Sequence, residues 1–167
     1  MKRKIANLLL VSVALFASCK KEKVCNEGYE GTECDVQIMP TKLKITSIKI
    51  VSFPQYDDGV VWDVVDNSAP DVFFKFMKGN VLMLEQSDFY ENANFSEGYT
   101  YTPSPSITLN DVTSEYTLLL FDNDNSSDDF MGGVNFKLYD SKNEFPKSLL
   151  VKGDSGVEFE LGLTYEW

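Results

Sequence analysis

The chain has 167 residues, with 15 Lys and Arg against 26 Asp and Glu, a net charge of −11, and no histidine. Without an imidazole, the commonest general base and the commonest zinc ligand are gone, so neither a Ser-His-Asp nor a Cys-His centre can be assembled, and the sequence points away from an enzyme. A body this acidic repels phosphate backbones instead of releasing their counterions, which argues against nucleic acid as a partner.

Lys2, Arg3 and Lys4 open the chain, and Ile5 to Phe16 form a mostly apolar stretch, followed by small Ala17 and Ser18 and then Cys19. The stretch is too short to span a bilayer as a stable helix, and the layout is that of a secretory signal over residues 1–18. A cysteine at this place resembles the lipobox of bacterial lipoproteins. Phe16 departs from it, standing where Leu is usual, with Leu15 one step back. The resemblance implies lipidation of Cys19, palmitate included, and an anchor in the outer membrane of a bacterial cell envelope. The alternative is ordinary cleavage that leaves Cys19 free.

Three cysteines are an odd count for an exported chain. With Cys19 lipidated, Cys25 and Cys34 remain as a pair for an oxidising compartment. Loss of residues 1–18 leaves 12 basic and 26 acidic side chains, a net charge of −14. Residues 19–24, with Lys20-Lys21-Glu22-Lys23, form a charged tether. It resembles the surface-export tethers of Bacteroidota lipoproteins and reads equally well as a plain linker.

Over residues 25–40, the run Cys25-Asn26-Glu27-Gly28-Tyr29-Glu30-Gly31-Thr32-Glu33-Cys34 has a C-x2-G-Y-x-G-x2-C spacing. It resembles the last loop of an EGF-like module. The preceding cysteines of such a module are missing, so the segment has almost no core of its own and is expected to act as a rigid spacer.

Residues 41–167 are enough for one core. Lys42 to Val51 alternates apolar and polar positions, as a strand with one buried face does. Val72 to Phe76 and Val81 to Leu84 follow, split by the Gly79-Asn80 turn signal. Ile107 to Leu109, Tyr116 to Phe121, Val134 to Tyr139, Leu149 to Val151 and Val157 to Tyr165 complete about eight strands, with no convincing amphipathic helix. The expected class is all-β, an eight-stranded antiparallel β-sandwich. Phe89 to Pro105 reads as a long polar and aromatic loop.

Two acidic loops break this pattern. One holds Asp57, Asp58, Asp63, Asp66 and Asp71; the other is Asp122-Asn123-Asp124-Asn125-Ser126-Ser127-Asp128-Asp129-Phe130-Met131-Gly132. Four carboxylates within eight residues repel one another unless a hard cation with six to eight oxygen ligands, Ca²⁺ above all, neutralises them. A solvated acidic turn is the plainer reading. An EF-hand is excluded, because its sixth and twelfth positions fall on Ser127 and Gly133 instead of Gly and Glu.

Pro70-Asp71-Val72-Phe73-Phe74-Lys75-Phe76 resembles the Ser-Asp-Pro-Tyr-Val-Lys-Val signature of C2 domains, the calcium- and phospholipid-binding sandwiches. Asp122-x-Asp124-x4-Asp129-Phe130-Met131-Gly132 resembles their third calcium loop. The signature proline is displaced to Pro70, and the second loop is one residue short between its last two aspartates. The resemblance implies a C2-like fold in the permuted topology, with Val157 to Tyr165 as its closing strand. It also implies a Ca²⁺ site on Asp71, Asp122, Asp124 and Asp129. Asp63 or Asp66 supplies the remaining ligand, Asp63 being favoured. Lys42, Lys44 and Lys49 read as a solvated face, and Trp62 as a ring packed under its loop, with membrane insertion the alternative.

The functional expectation is a lipid-anchored envelope or surface module that binds phospholipid, glycan or a protein partner through calcium-filled loops. The alternative is a metal-free β-sandwich adhesin or envelope-assembly subunit.

Overall fold

The structure, a computed structural model, describes residues 23–63, 68–125, 127–142 and 144–167. Cys19 and Asp66 lie outside the described residues. Among the described residues no helix is long and apolar enough to cross a membrane.

The chain first makes a small hairpin, β1 (Tyr29–Glu30) against β2 (Val36–Gln37), closed by a disulfide between Cys25 and Cys34. The sandwich begins with β3 (Lys42–Ser52), which buries Leu43, Ile45, Ile48 and Ile50. Ile45 and Ile48 are three apart, which strict alternation forbids. The register against the last strand shifts at this point, Ser47 facing Gly162 and Ile45 facing Leu163. Thr46 is the extra residue of a bulge, and the bulge returns the strand to phase with the core.

β4 (Val72–Lys78) and β5 (Val81–Glu85) form the expected hairpin about Gly79-Asn80, with Gly79 at φ 55. β6 (Tyr99–Tyr101) lies inside the stretch read from sequence as loop, and pairs with β3 at Ile48 to Ile50. β7 (Ile107–Leu109) pairs with β3 further along, at Leu43 to Ile45. The two are pieces of one interrupted edge strand, so the nine described strands of the sandwich occupy the eight positions expected. β7, equally short, showed itself by apolar Ile107 and Leu109, whereas Tyr99-Thr100-Tyr101 sits in a polar and aromatic stretch and did not.

β8 (Glu115–Asp122), β9 (Asp129–Lys137), β10 (Ser148–Lys152) and β11 (Glu158–Glu166) follow. One sheet runs β10-β11-β3 with β6 and β7 on its edge, and the other runs β5-β4-β8-β9. The last strand therefore lies beside the first strand of the sandwich. Every pairing is antiparallel. Phe74, Phe76, Tyr116, Leu118 and Leu120 of one sheet meet Leu43, Ile48, Phe159 and Leu161 of the other in a continuous core. Phe74 spans the layers, edge-on to Tyr101 at 5.5 Å and to Phe159 at 6.2 Å.

β9 starts earlier than the expected Val134. Asp129, Phe130, Met131 and Gly132 are already in the strand, and the acidic turn shrinks to residues 123–128. Asp129 directly faces Asp122 in the ladder. The bulge between Leu120 and Phe121 disguised this stretch, because it breaks the alternation that marks a strand.

Candidate functional site

Sheet register brings the acidic loops together. Val72 of β4 faces Asp122 of β8, and Asp122 faces Asp129 of β9. Asp71 stands one residue before β4. Three expected ligands thus sit on adjacent strand ends at one end of the sheet, and Asp124 lies in the turn that joins two of them. Asp63 is half-buried in the loop before β4, bridged through its backbone to Ser68.

Asp122 is the centre of the group. It is fully buried, and its Oδ1 accepts a hydrogen bond from the Asp71 backbone N–H at 2.7 Å. Its Oδ2 is buried with no partner. Burial pushes this carboxyl up to about 6, helped by repulsion from Asp63, Asp124 and Asp71, while the Asp71 hydrogen bond pulls the other way. Asp124 is also raised, first by burial and then by Asp129, Asp63, Asp128 and Asp71. Asp63, Asp71, Asp122, Asp124 and Asp129 therefore share one region of negative potential. Among the described residues no lysine or arginine forms an ion pair with any of the five.

The second loop is held to the first by more than this bond. The Asn123 N–H donates to the Asp71 carbonyl at 2.8 Å, and within the second loop the Asn123 amide donates to Asp128 Oδ1 at 3.3 Å. A third segment enters as well: the Asn92 N–H donates to Asp71 Oδ1 at 2.7 Å. Asn92, at φ 50, belongs to the stretch that the sequence left as loop, and no side-chain signal could have marked a backbone donor.

The chemistry of the donor set suits a hard cation. A buried carboxylate oxygen without a donor costs about 1–3 kcal/mol, and several anionic oxygens converge on its neighbourhood. All the available donors are hard oxygens, the set that Ca²⁺ takes. Among the described residues, no three of the acidic side chains stand close enough to form a finished coordination shell. The two loops bring negative charge and oxygen donors to one end of the sheet.

Trp62 packs under its loop, as the plainer reading expected. It is 8% exposed, and its indole N–H donates to the Pro54 carbonyl at 2.9 Å. Beside it lies a cavity of about 410 Å³, lined by Phe53, Tyr56, Trp62, Pro70, Asn94 and Phe95 among others. Lys42 and Lys44 both pair with Glu166 at the opposite end of β3, so they form a solvated face away from the loops.

No family model matches the sequence, and no curated protein matches it. Solved structures that resemble the fold are C2 domains. One, described as the structure of a C2 domain, is 14% identical, with a TM-score of 0.47 over 75% of this chain and 98% of that one. A C2 domain protein from Ramazzottius varieornatus is 10% identical, with a TM-score of 0.43 over 77% of this chain and 91% of that one. A calcium-bound structure of two C2 domains of extended synaptotagmin 2 is 19% identical, with a TM-score of 0.39 over 77% of this chain and 46% of that one. This chain thus spans about half of that last structure.

Proposed function

We propose that this chain is a lipid-anchored binding module of the bacterial cell envelope, held in the outer membrane through Cys19. In this reading Asp63, Asp71, Asp122, Asp124 and Asp129 hold Ca²⁺ between the two acidic loops. The observation that carries the site is Asp122, a buried carboxylate with one oxygen bonded to the neighbouring loop and the other without a donor. The ion supplies the positive charge that no ion pair provides among the described residues. The chain's own part is to hold Asp122 fixed through Asp71 and to bring Asp124 and Asp129 to it across the turn.

Once neutralised, the loops can bridge through the ion to an external phosphate or carboxylate, on a phospholipid, a glycan or a protein. Extracellular calcium modules bind with dissociation constants of about 10⁻⁴–10⁻³ M, weak enough for constant filling outside a cell. A sequence without histidine supports a binding role over an enzymatic one. The EGF-like hairpin serves as spacer between anchor and sandwich. Calorimetric titration with Ca²⁺ tests the site: a binding heat is expected for the native chain and none for Asp122→Asn with Asp124→Asn. A native chain silent up to about 10 mM, above the range for such modules, overturns it.

A further inference from the structure

The cavity beside Trp62, of about 410 Å³, lies between the loop before β4 and the segment 92–95. Sites for small ligands run from about 300 to 1,000 Å³, so it is large enough to hold one. Phe53, Trp62 and Ala93 are buried and form its floor. Tyr56 and Phe95, 47% and 40% exposed, stand at its mouth.

Its walls are tied in place by hydrogen bonds within the chain. The Trp62 indole N–H is held by the Pro54 carbonyl, and the Ala93 N–H donates to the Pro70 carbonyl at 2.7 Å. The Asn94 N–H donates to the Tyr99 hydroxyl at 2.6 Å. A site built in advance loses little binding energy to ordering.

The lining selects the chemistry of the ligand. Among the described residues no acidic or basic side chain lines the cavity, so an ionic ligand finds no counter-charge in it. Gln55 and Asn92 line it with exposed side chains, and neither side-chain amide is hydrogen-bonded to another described residue. An amide both donates and accepts, as a hydroxyl does, whereas a quaternary ammonium does neither. A hydrocarbon would strip water from the amides and return no bond, which is unfavourable. A sugar ring meets both demands. Its hydroxyls can pair with the amides, and its C–H face can lie on an aromatic ring, whose electron-rich face attracts the hydrogens.

We infer that this cavity binds a neutral saccharide, one or two rings in size. It neighbours the aspartates, since the Asn92 N–H donates to Asp71 Oδ1, but none of the five proposed calcium ligands lines it. A ligand bridged through the ion needs a phosphate or carboxylate; this one needs neither, and its binding does not rest on the cation.

The test is calorimetry on the mature full chain with a chelator present, titrating the neutral disaccharides maltose, cellobiose and N,N′-diacetylchitobiose, with tetramethylammonium as the comparison. At least one saccharide should give a binding heat. Phe95→Ala and Gln55→Ala change exposed side chains and should fold as the native chain does. Both should weaken that binding, the loss of the ring by about tenfold, the upper worth of one aromatic contact. No heat from any of the three sugars overturns the inference. So does a heat from tetramethylammonium alone, which would assign the cavity to an organic cation. Saccharide binding unchanged in both variants, or seen only after Ca²⁺ is added, places the sugar elsewhere and overturns it as well. The calcium titration of the native chain is a separate measurement, so a failure here leaves the cation site standing.

Discussion

The Asp71 N–H donates to Asp122 Oδ1 at 2.7 Å, and this bond ties the loop before β4 to the end of β8. It fixes one oxygen of a fully buried carboxylate and leaves the other, Oδ2, unpartnered. Asp122→Asn keeps an oxygen acceptor for Asp71 and removes the charge. The metal-free variant should therefore melt higher than the native chain, by about 2–4 °C per kcal/mol gained. In Ca²⁺ the order should reverse, because an ion at about 100 times its dissociation constant adds about 2.7 kcal/mol to the native chain alone. Thermal melts of both proteins with Ca²⁺ and with chelator check this. A metal-free variant that melts lower would show the charge is already compensated.

The raised carboxyl of Asp122 has a definite pH signature. Its ordinary value is 3.8 and its folded value about 6, so the folded state favours the neutral acid. That stabilisation is complete below pH 3.8 and lost as pH rises through 6. Asp111 has the opposite sense. Lys78, then Ser114, hold it down at about 2, so its contribution is present above 3.8 and lost as pH falls toward 2. Denaturation of the metal-free chain should therefore show a loss of stability between about pH 4 and 6 that is missing in Asp122→Asn. Equal slopes for the two proteins would remove Asp122 as the cause.

Gly132, the last residue of the Asp-Phe-Met-Gly motif, sits at φ 145 inside β9. A Cβ there would run into the Ser155 side chain and come within 2.9 Å of Val157 Cγ2. Gly132→Ala combines this clash with strain of about 1–3 kcal/mol at a φ that L-residues avoid. Chemical denaturation should report a loss of at least that size.

How much of this was legible in the sequence followed chain length and period. Lys42 to Val51 and Tyr116 to Phe121 alternate over enough residues to declare a strand and its buried face. Tyr99 to Tyr101 cannot, since it lies in a polar and aromatic stretch without the aliphatic pair that marked Ile107 to Leu109. The start of β9 was hidden because Asp129 and Phe130 are turn-like and exposed, and the bulge at Leu120 shifts the phase. The aspartates showed themselves by mutual repulsion in sequence, which needs no fold to be seen. The Asn92 donor and the Phe145 clamp did not, because a backbone N–H has no residue identity and an aromatic contact across a hundred residues has no local trace.

Phe145 is the clamp that makes hairpin and sandwich one piece. Its ring meets Tyr29 at 5.5 Å, Trp167 at 5.1 Å and Tyr165 at 5.3 Å. The hairpin's two short strands bury nothing by themselves, so its order depends on this shared aromatic cluster and on its disulfide. Phe145→Ala leaves the disulfide intact and removes the ring on which Tyr29 rests. The half-buried site should cost less than the 3–5 kcal/mol of a fully buried Phe→Ala, about 2 kcal/mol. Hydrogen exchange should quicken at Ile38, whose N–H donates to the Gly28 carbonyl, and at Glu144, whose N–H donates to Gln37. Exchange at Asp71 and Asn123, at the far end of the sheets, should stay as it was. Unchanged protection of Ile38 would show that the disulfide alone orders the hairpin and that Phe145 merely covers it.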